Sequence, residues 1–233
     1  QFYIDKYKVT NFDFYDLTTI VRKDWIVEFC QKVIKKNWNV TWQMPAGTRS
    51  EALDDEALEL MILSGQRNIS YAPESGSITT LEKIKKKIKI DTMKKSLGSA
   101  LSKGMNVKLN LIMGFPNETT REIFQTLNFI KDAAVLGVHD VYVACFSPYP
   151  GSELFDQLHD NNQIVRMDDE YFLNLTSYSD IRHSYSYSPH LSNRMLTFYR
   201  LFGISMFYII TFILRPKRIF RLFVNIIKKR EET

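Results

Sequence analysis

Five short stretches gather the residue types that could do chemistry. They read Phe14-Tyr15-Asp16-Leu17-Thr18-Thr19, Met44-Pro45-Ala46-Gly47-Thr48-Arg49, Tyr71-Ala72-Pro73-Glu74-Ser75-Gly76-Ser77, Met113-Gly114-Phe115-Pro116-Asn117-Glu118-Thr119 and Ser147-Pro148-Tyr149-Pro150-Gly151-Ser152. Glycine lets backbone approach a bound molecule closely, proline fixes a turn, and hydroxyls or carboxylates beside a helix start supply polar groups. Such loops suit a polar small molecule, and Glu74 has the chemistry to accept from sugar hydroxyls or an amine. Taken singly, each loop also reads as a strand-to-helix turn with a capping residue. Metal and nucleophilic chemistry find less support. The two cysteines, Cys30 and Cys145, cannot make a four-cysteine zinc site or hold an iron-sulfur cluster. His139, His159, His183 and His190 have no second ligand at metal spacing, and no Ser/His/Asp order or Schiff-base lysine stands out, which disfavours a β/α hydrolase or aldolase.

The elements that must position these loops alternate in type. Strand candidates run over Asn11 to Asp16, Asn39 to Met44, Asn68 to Ala72, Asn106 to Met113 and Asp140 to Phe146. Helix-period segments follow them over Asp24 to Lys36, Asp54 to Ser64, Asp91 to Lys103 and Thr119 to Leu136, the last three stopping at Gly65, Gly104 and Gly137. On the first of these helices Trp25, Ile26, Phe29, Val33 and Ile34 share a face. Strands alternating with helices predict a parallel sheet, as an open doubly wound sheet or a β/α barrel. In both, ligands sit at the carboxyl ends of the strands, where the five loops fall.

The chain has 233 residues, 45% hydrophobic and 24% charged, which excludes disordered and collagen-like classes. A fold of this size buries roughly 70% of its unfolded surface without a disulfide or metal. The cysteine count suits a reducing, cytoplasmic compartment. The net charge of +5 is uneven: Arg194 to Thr233 carries +7, leaving the rest near neutral, so nucleic acid is not an expected partner. The run Lys83, Lys85, Lys86, Lys87, Lys89 reads as a solvated linker between helices, with Ile84, Ile88 and Ile90 at packing spacing.

Taken together, the loops resemble those of the radical S-adenosylmethionine (SAM) superfamily, in particular its cobalamin-binding branch. The stretch DDEALELMILSGQRNISYAPESGS resembles the family's helix, glycine, fourth strand and ESGS-type turn. LNLIMGFPNET resembles the fifth strand and its G-x-I-x-G-x-x-E region, with Asn110 in place of the first glycine, Ile112 and Gly114 in register, and the acid at Glu118. FSPYPGSEL resembles the turn after the sixth strand, while FDFYDLTT and WQMPAGTRSEALDDE resemble the second and third strand ends. The resemblance covers about Asn11 to Leu158. It implies an α/β fold, a partial (β/α)6 barrel, in which a 4Fe-4S cluster reduces SAM to methionine and a 5′-deoxyadenosyl radical. By position, Asp16 and nearby hydroxyls would sit near the methionine amino group, Arg49 near the carboxylate, and Glu74 at the ribose, with Ser75 a further cofactor-binding candidate. The backbone around Ile112 and Gly114 would flank the adenine, as would Phe146 to Tyr149, with Asn110 and Pro148 among the cofactor-binding candidates. Apolar walls would exclude water from the radical while a few charges orient SAM.

The family holds its cluster with a CxxxCxxC loop after the first strand, and this sequence has no such motif. The expectation is that this loop, and a cobalamin domain, lie upstream of Gln1, leaving this chain inactive alone. The implied partners are a small-molecule or lipid-like substrate and an electron donor such as flavodoxin or ferredoxin. The reaction expected is cobalamin-dependent methyl transfer or cyclisation. An RNA methylthiotransferase sharing the GFPxET-type turn is the enzymatic alternative. A cluster-less SAM-binding or scaffolding protein is the alternative of another class.

Three regions are expected: a core over 1–165, a Tyr/Ser-rich connection over 166–191 that covers the barrel mouth, and a helical tail over 192–233. The apolar stretch between Arg200 and Arg215 is 14 residues, short for a membrane span, which needs about 20. Past Pro216, a basic amphipathic helix either lies on an anionic membrane or packs its aromatic face on the barrel or on an upstream domain.

Overall fold

A computed structural model describes residues 1–15, 20, 22–48 and 53–228. Five strands, β1 (Asn11–Asp13), β2 (Thr41–Thr48), β3 (Gln66–Glu74), β4 (Asn106–Met113) and β5 (Asp140–Cys145), form one parallel sheet in sequential order. A doubly wound sheet reverses its strand order at a switch point, so sequential order selects the barrel type of winding. The helices are α1 (Phe2–Tyr7), α2 (Lys23–Lys36), α3 (Asp55–Leu63), α4 (Ile78–Lys83), α5 (Ile90–Ser102), α6 (Thr120–Leu136), α7 (Glu153–Asp160), α8 (Asp169–Leu175), α9 (Asn193–Leu214) and α10 (Pro216–Ile227).

Burial along β4 alternates strictly. Val107, Leu109, Leu111 and Met113 are buried in one core with Leu58 and Met61 of α3, Met93 and Leu97 of α5, and Ile123, Leu127 and Ile130 of α6. Asn106, Lys108, Asn110 and Ile112 lie on the opposite, inner face and are half-buried. All these helices therefore pack on one face, leaving the other to line the interior. On α2 the buried residues are Ile26, Cys30 and Val33, while Trp25 and Ile34 are exposed. The apolar face is thus rotated from the expected one; Trp25 stacks on the outer side of Phe29, whose ring packs against Trp42 and Phe14.

The tail departs from expectation at Arg200. That residue does not bound an apolar segment: α9 runs unbroken through it for 22 residues, and Arg200 is 0% exposed. Its guanidinium donates to Val143 O on β5 at 3.1 Å, to Asp180 O and His183 O, and to Ser184 Oγ. β5 lies at the edge of the sheet, and a charged fork satisfying its carbonyl blunts that edge. Leu196, Gly203, Phe207 and Thr211 continue the inward stripe of α9. At the far end Arg215 donates to Ala134 O and Val135 O, and Arg218 to Gly137 O and Val138 O, so two cations satisfy the carbonyl end of α6.

Candidate functional site

The site grows out of the turn after β4. Gly114 follows the strand with φ +90°, in the left-handed region, and a side chain there would also meet Leu196 of α9 within 2.5 Å. The turn Phe115-Pro116-Asn117-Glu118 closes with the Glu118 N–H donating to Phe115 O, and Asn117 also has positive φ. Glu118 then folds its carboxylate back to accept from Gly114 N at 2.7 Å and Phe115 N at 3.2 Å. Burial pushes this carboxyl up to about 7, the two backbone donors pull it down, and burial wins. Thr119 next starts α6 through a capping box with Glu122.

This pinned turn fixes one wall of a cavity of about 350 Å³ at the carboxyl ends of β4 and β5. Ile112, Phe115, Phe146 and Tyr149 line it, together with Ser147 and Tyr178. Phe115 and Phe146 meet with ring centroids 5.2 Å apart, and Phe146 N donates to Met113 O, which extends the strand pairing into the turn. Lys83 and Lys85 stand at the mouth, with Lys85 paired to Glu153. The walls are aromatic and aliphatic, with hydroxyls and charges at the mouth. That combination suits a planar heteroaromatic ring carrying a polar substituent.

The expected site residues separate in the structure. Ile112 and Phe146 meet in the cavity. Pro148 lies behind it, buried, its carbonyl accepting from Tyr171 Oη at 2.6 Å. Asn110 sits one inner-face position before Ile112, opposite Tyr142. Glu74 ends β3 with φ +69° and accepts from Lys86 Nζ at 2.8 Å. Its charge acts on Tyr178 of the cavity, whose phenol is raised by burial first and then by Tyr142 and Glu74. Gly114 faces α9 instead of the cavity. Ser75 is fully buried and its hydroxyl pairs with Thr126 of α6 at 3.0 Å, which turns it away from the opening. Asp16 and Arg49 lie outside the described residues.

Other contacts were not legible in the sequence. The lysine run is not simply a solvated linker: Lys83 ends α4 and approaches Glu122, while Lys85 and Lys86 tie down Glu153 and Glu74. The connection over 166–191 contains α8 and a 3-10 turn over Thr176–Tyr178, and Tyr187 packs on Phe146. On the inner face, Asp13, Gln43, Asn68 and Asn106 stand in register on β1 to β4. Each donates to the one before it, Gln43 to Asp13, Asn68 to Gln43 and Asn106 to Asn68, at 2.8 to 2.9 Å. Lys108 and Asp140 continue this polar band to β5, where Tyr208 of α9 donates to Asp140.

The residues of this chain do not fit an iron-sulfur cluster. A cluster takes thiolates, and burial pushes the Cys30 thiol up to about 11 and raises Cys145 as well. Cys30 lies on α2, Cys145 at the end of β5, and among the described residues no three His, Cys, Asp or Glu side chains are grouped to hold a metal. His139 accepts from Val107 N and is depressed to about 4 by burial and then by Arg218, Arg221 and Arg215.

Comparison with known proteins agrees with this arrangement. The family model described as the radical SAM superfamily matches residues 3–130. An anaerobic magnesium-protoporphyrin IX monomethyl ester cyclase of Rubrivivax gelatinosus is 26% identical over 146 residues, 63% of this chain and 26% of that protein. An uncharacterized methyltransferase of Pyrococcus horikoshii, PH0819, is 23% identical over 196 residues, 83% of this chain and 42% of that protein. This chain therefore spans less than half the length of either relative. The radical S-adenosylmethionine methyltransferase TsrM of Kitasatospora setae, solved with cobalamin and a [4Fe-4S] cluster bound, superposes with a TM-score of 0.57 at 10% identity, over 71% of this chain and 33% of that one. That likeness is one of fold, and it matches the barrel winding of the sheet. The chain belongs to the radical SAM superfamily.

Proposed function

We propose that this chain is the SAM-binding barrel portion of an enzyme that performs cobalamin-dependent methyl transfer or cyclisation. The observation that carries the reading is the cavity between the ends of β4 and β5, walled by Ile112, Phe115 and Phe146 behind a turn that Glu118 pins. The adenine of SAM would lie between these apolar walls, and Glu74 at the next strand end would accept from the ribose hydroxyls. The inner-face amides and the Lys108–Asp140 pair would present hydrogen-bonding groups to a substrate held deeper in the interior. The relatives named for cyclisation and methyl transfer support the reaction class. Because Cys30 and Cys145 do not fit a cluster, the cluster ligands and any cobalamin-binding segment would come from outside this sequence, with an electron donor such as a flavodoxin or ferredoxin supplying the reductant.

The test is to produce the protein encoded by the whole open reading frame anaerobically, reduce it with dithionite in the presence of SAM, and follow SAM consumption. Reductive turnover of SAM is expected. Binding of SAM without turnover by a folded, reduced protein would replace the enzyme with a cluster-less SAM-binding protein.

A further inference from the structure

We propose that α10, with the exposed side of α9, docks this protein on an anionic lipid surface. The proposal rests on the tail alone and stands apart from the reaction assigned to the barrel. On α10 the inward side is set by Arg218, whose guanidinium donates to Gly137 O and Val138 O at 2.8 Å, and by the half-buried Ile219 and Leu222. That leaves Phe220 72%, Phe223 57% and Ile227 80% exposed on the outward side. A helix advances by 3.6 residues per turn, so Lys217 and Lys228 fall on one edge of this outward apolar strip, and both are exposed. Long cationic side chains beside an apolar strip can hold headgroups while the rings enter the acyl boundary.

Two features select a lipid surface as the occupant. From Asn193 to Lys228 the sequence contains no aspartate or glutamate, and Arg194 to Thr233 as a whole still carries +7, so the charge of the two helices favours attraction to anionic headgroups. On α9, Phe198, Phe202, Ile209 and Ile213 are exposed on the side opposite Leu196, Arg200, Gly203 and Phe207, which continues the apolar surface along the neighbouring helix. α9 is long and apolar enough to cross a membrane by length and composition. It is nevertheless committed to the barrel, because leaving would free Val143 O, bury the Arg200 charge in hydrocarbon and uncover the core around Phe207. The geometry is that of a helix pair lying on a surface, which would place the protein at the cytoplasmic face of a membrane as a peripheral protein.

The experiment is flotation of the chain with vesicles of phosphatidylcholine containing phosphatidylglycerol, and with vesicles of phosphatidylcholine alone. Binding is expected only to the anionic vesicles and should weaken as salt rises. Phe220→Ser with Phe223→Ser, and separately Lys217→Glu with Lys228→Glu, should each weaken it about tenfold or more. These side chains are exposed, so the melting temperature should stay unchanged, and that measurement accompanies the flotation. Absence of binding, equal binding to both vesicle types, or binding indifferent to both double variants overturns the proposal. So does a dimer in sedimentation that the Phe220→Ser, Phe223→Ser variant dissociates, since a second copy of the chain would then be the occupant.

Discussion

The carboxylate of Glu118 accepts from the backbone N–H of Gly114 at 2.7 Å, across the turn that closes the end of β4. The bond ties a side chain at the start of α6 to the last turn of strand geometry, and it holds Phe115 against Phe146. Because this carboxylate is almost wholly buried, its proton equilibrium is coupled to folding.

The sign of that coupling follows from the direction of the shift. Glu118 is raised from 4.5 to about 7, so between these values the folded chain holds a proton that the unfolded chain has released. Stability from this group is therefore present below pH 4.5 and lost as pH rises through 7, by up to about 3 kcal/mol. Glu118→Gln keeps an acceptor and removes the titration. Urea unfolding between pH 5 and 8 should show a falling midpoint in the natural protein and a flatter one in the variant. Equal slopes would remove Glu118 as the source.

Gly114 combines positive φ with close packing against Leu196. Gly114→Ala should cost about 2–3 kcal/mol, from backbone strain and from the collision with the leucine. The collision part should diminish in a Leu196→Ala background, so the double variant should be more stable than the sum of the single changes implies. Strict additivity in a denaturant cycle would mean that the strain is all in the backbone.

Much of the fold was legible in the sequence because its signals are local. The apolar alternation from Asn106 to Met113 marks β4 with its observed bounds, and Thr119, Glu122 and Gly137 bracket α6 with caps at both ends. The short helices α1 and α8 escaped because six or seven residues carry too little periodicity, although Asp168 caps α8. Arg200 misled because a charge inside an apolar run reads as a boundary, and only the tertiary fold shows the strand-edge carbonyl that receives it. The polar band escaped for a similar reason: Gln43, Asn68 and Asn106 become neighbours through strand register, which no single segment reveals. At the site, Ile112 and Phe146 followed from the resemblance to the radical SAM strand ends, whereas Tyr178 comes from a segment distant in sequence and Ser75 points away from the cavity.

Arg200 gives the sharpest test of the tail. Arg200→Leu would leave the buried Val143 O without its donor, at a cost of about 1–3 kcal/mol, and would also remove the donor to the part-buried Asp180 O and His183 O. A loss of at least about 3 kcal/mol is expected, with only partial recovery in Arg200→Lys, since an ammonium lacks the planar fork. A neutral Arg200→Leu change would show that α9 is held by its apolar stripe alone.

The amide ladder makes a more modest prediction. Asn68→Ala breaks two bonds, to Gln43 and from Asn106, and should destabilise by about 1–3 kcal/mol. Asn68→Asp keeps an acceptor for Asn106 but faces Gln43 Oε1 with another oxygen. Gln43 must then turn its amide, breaking its bond to Asp13, for the chain of bonds to re-form. Thermal melts of the two variants should therefore place Asn68→Asp between the natural protein and Asn68→Ala.

The cavity between β4 and β5 is proposed to receive the adenosyl part of SAM. Ligand-observed saturation-transfer NMR of SAM with the purified chain tests it directly. Strong transfer to the adenine protons is expected in the natural protein, with its loss in Ile112→Trp, a variant that fills the cavity from one wall while keeping the far-ultraviolet circular dichroism spectrum. Undiminished adenine transfer in that variant, or none in the natural folded chain, would contradict it.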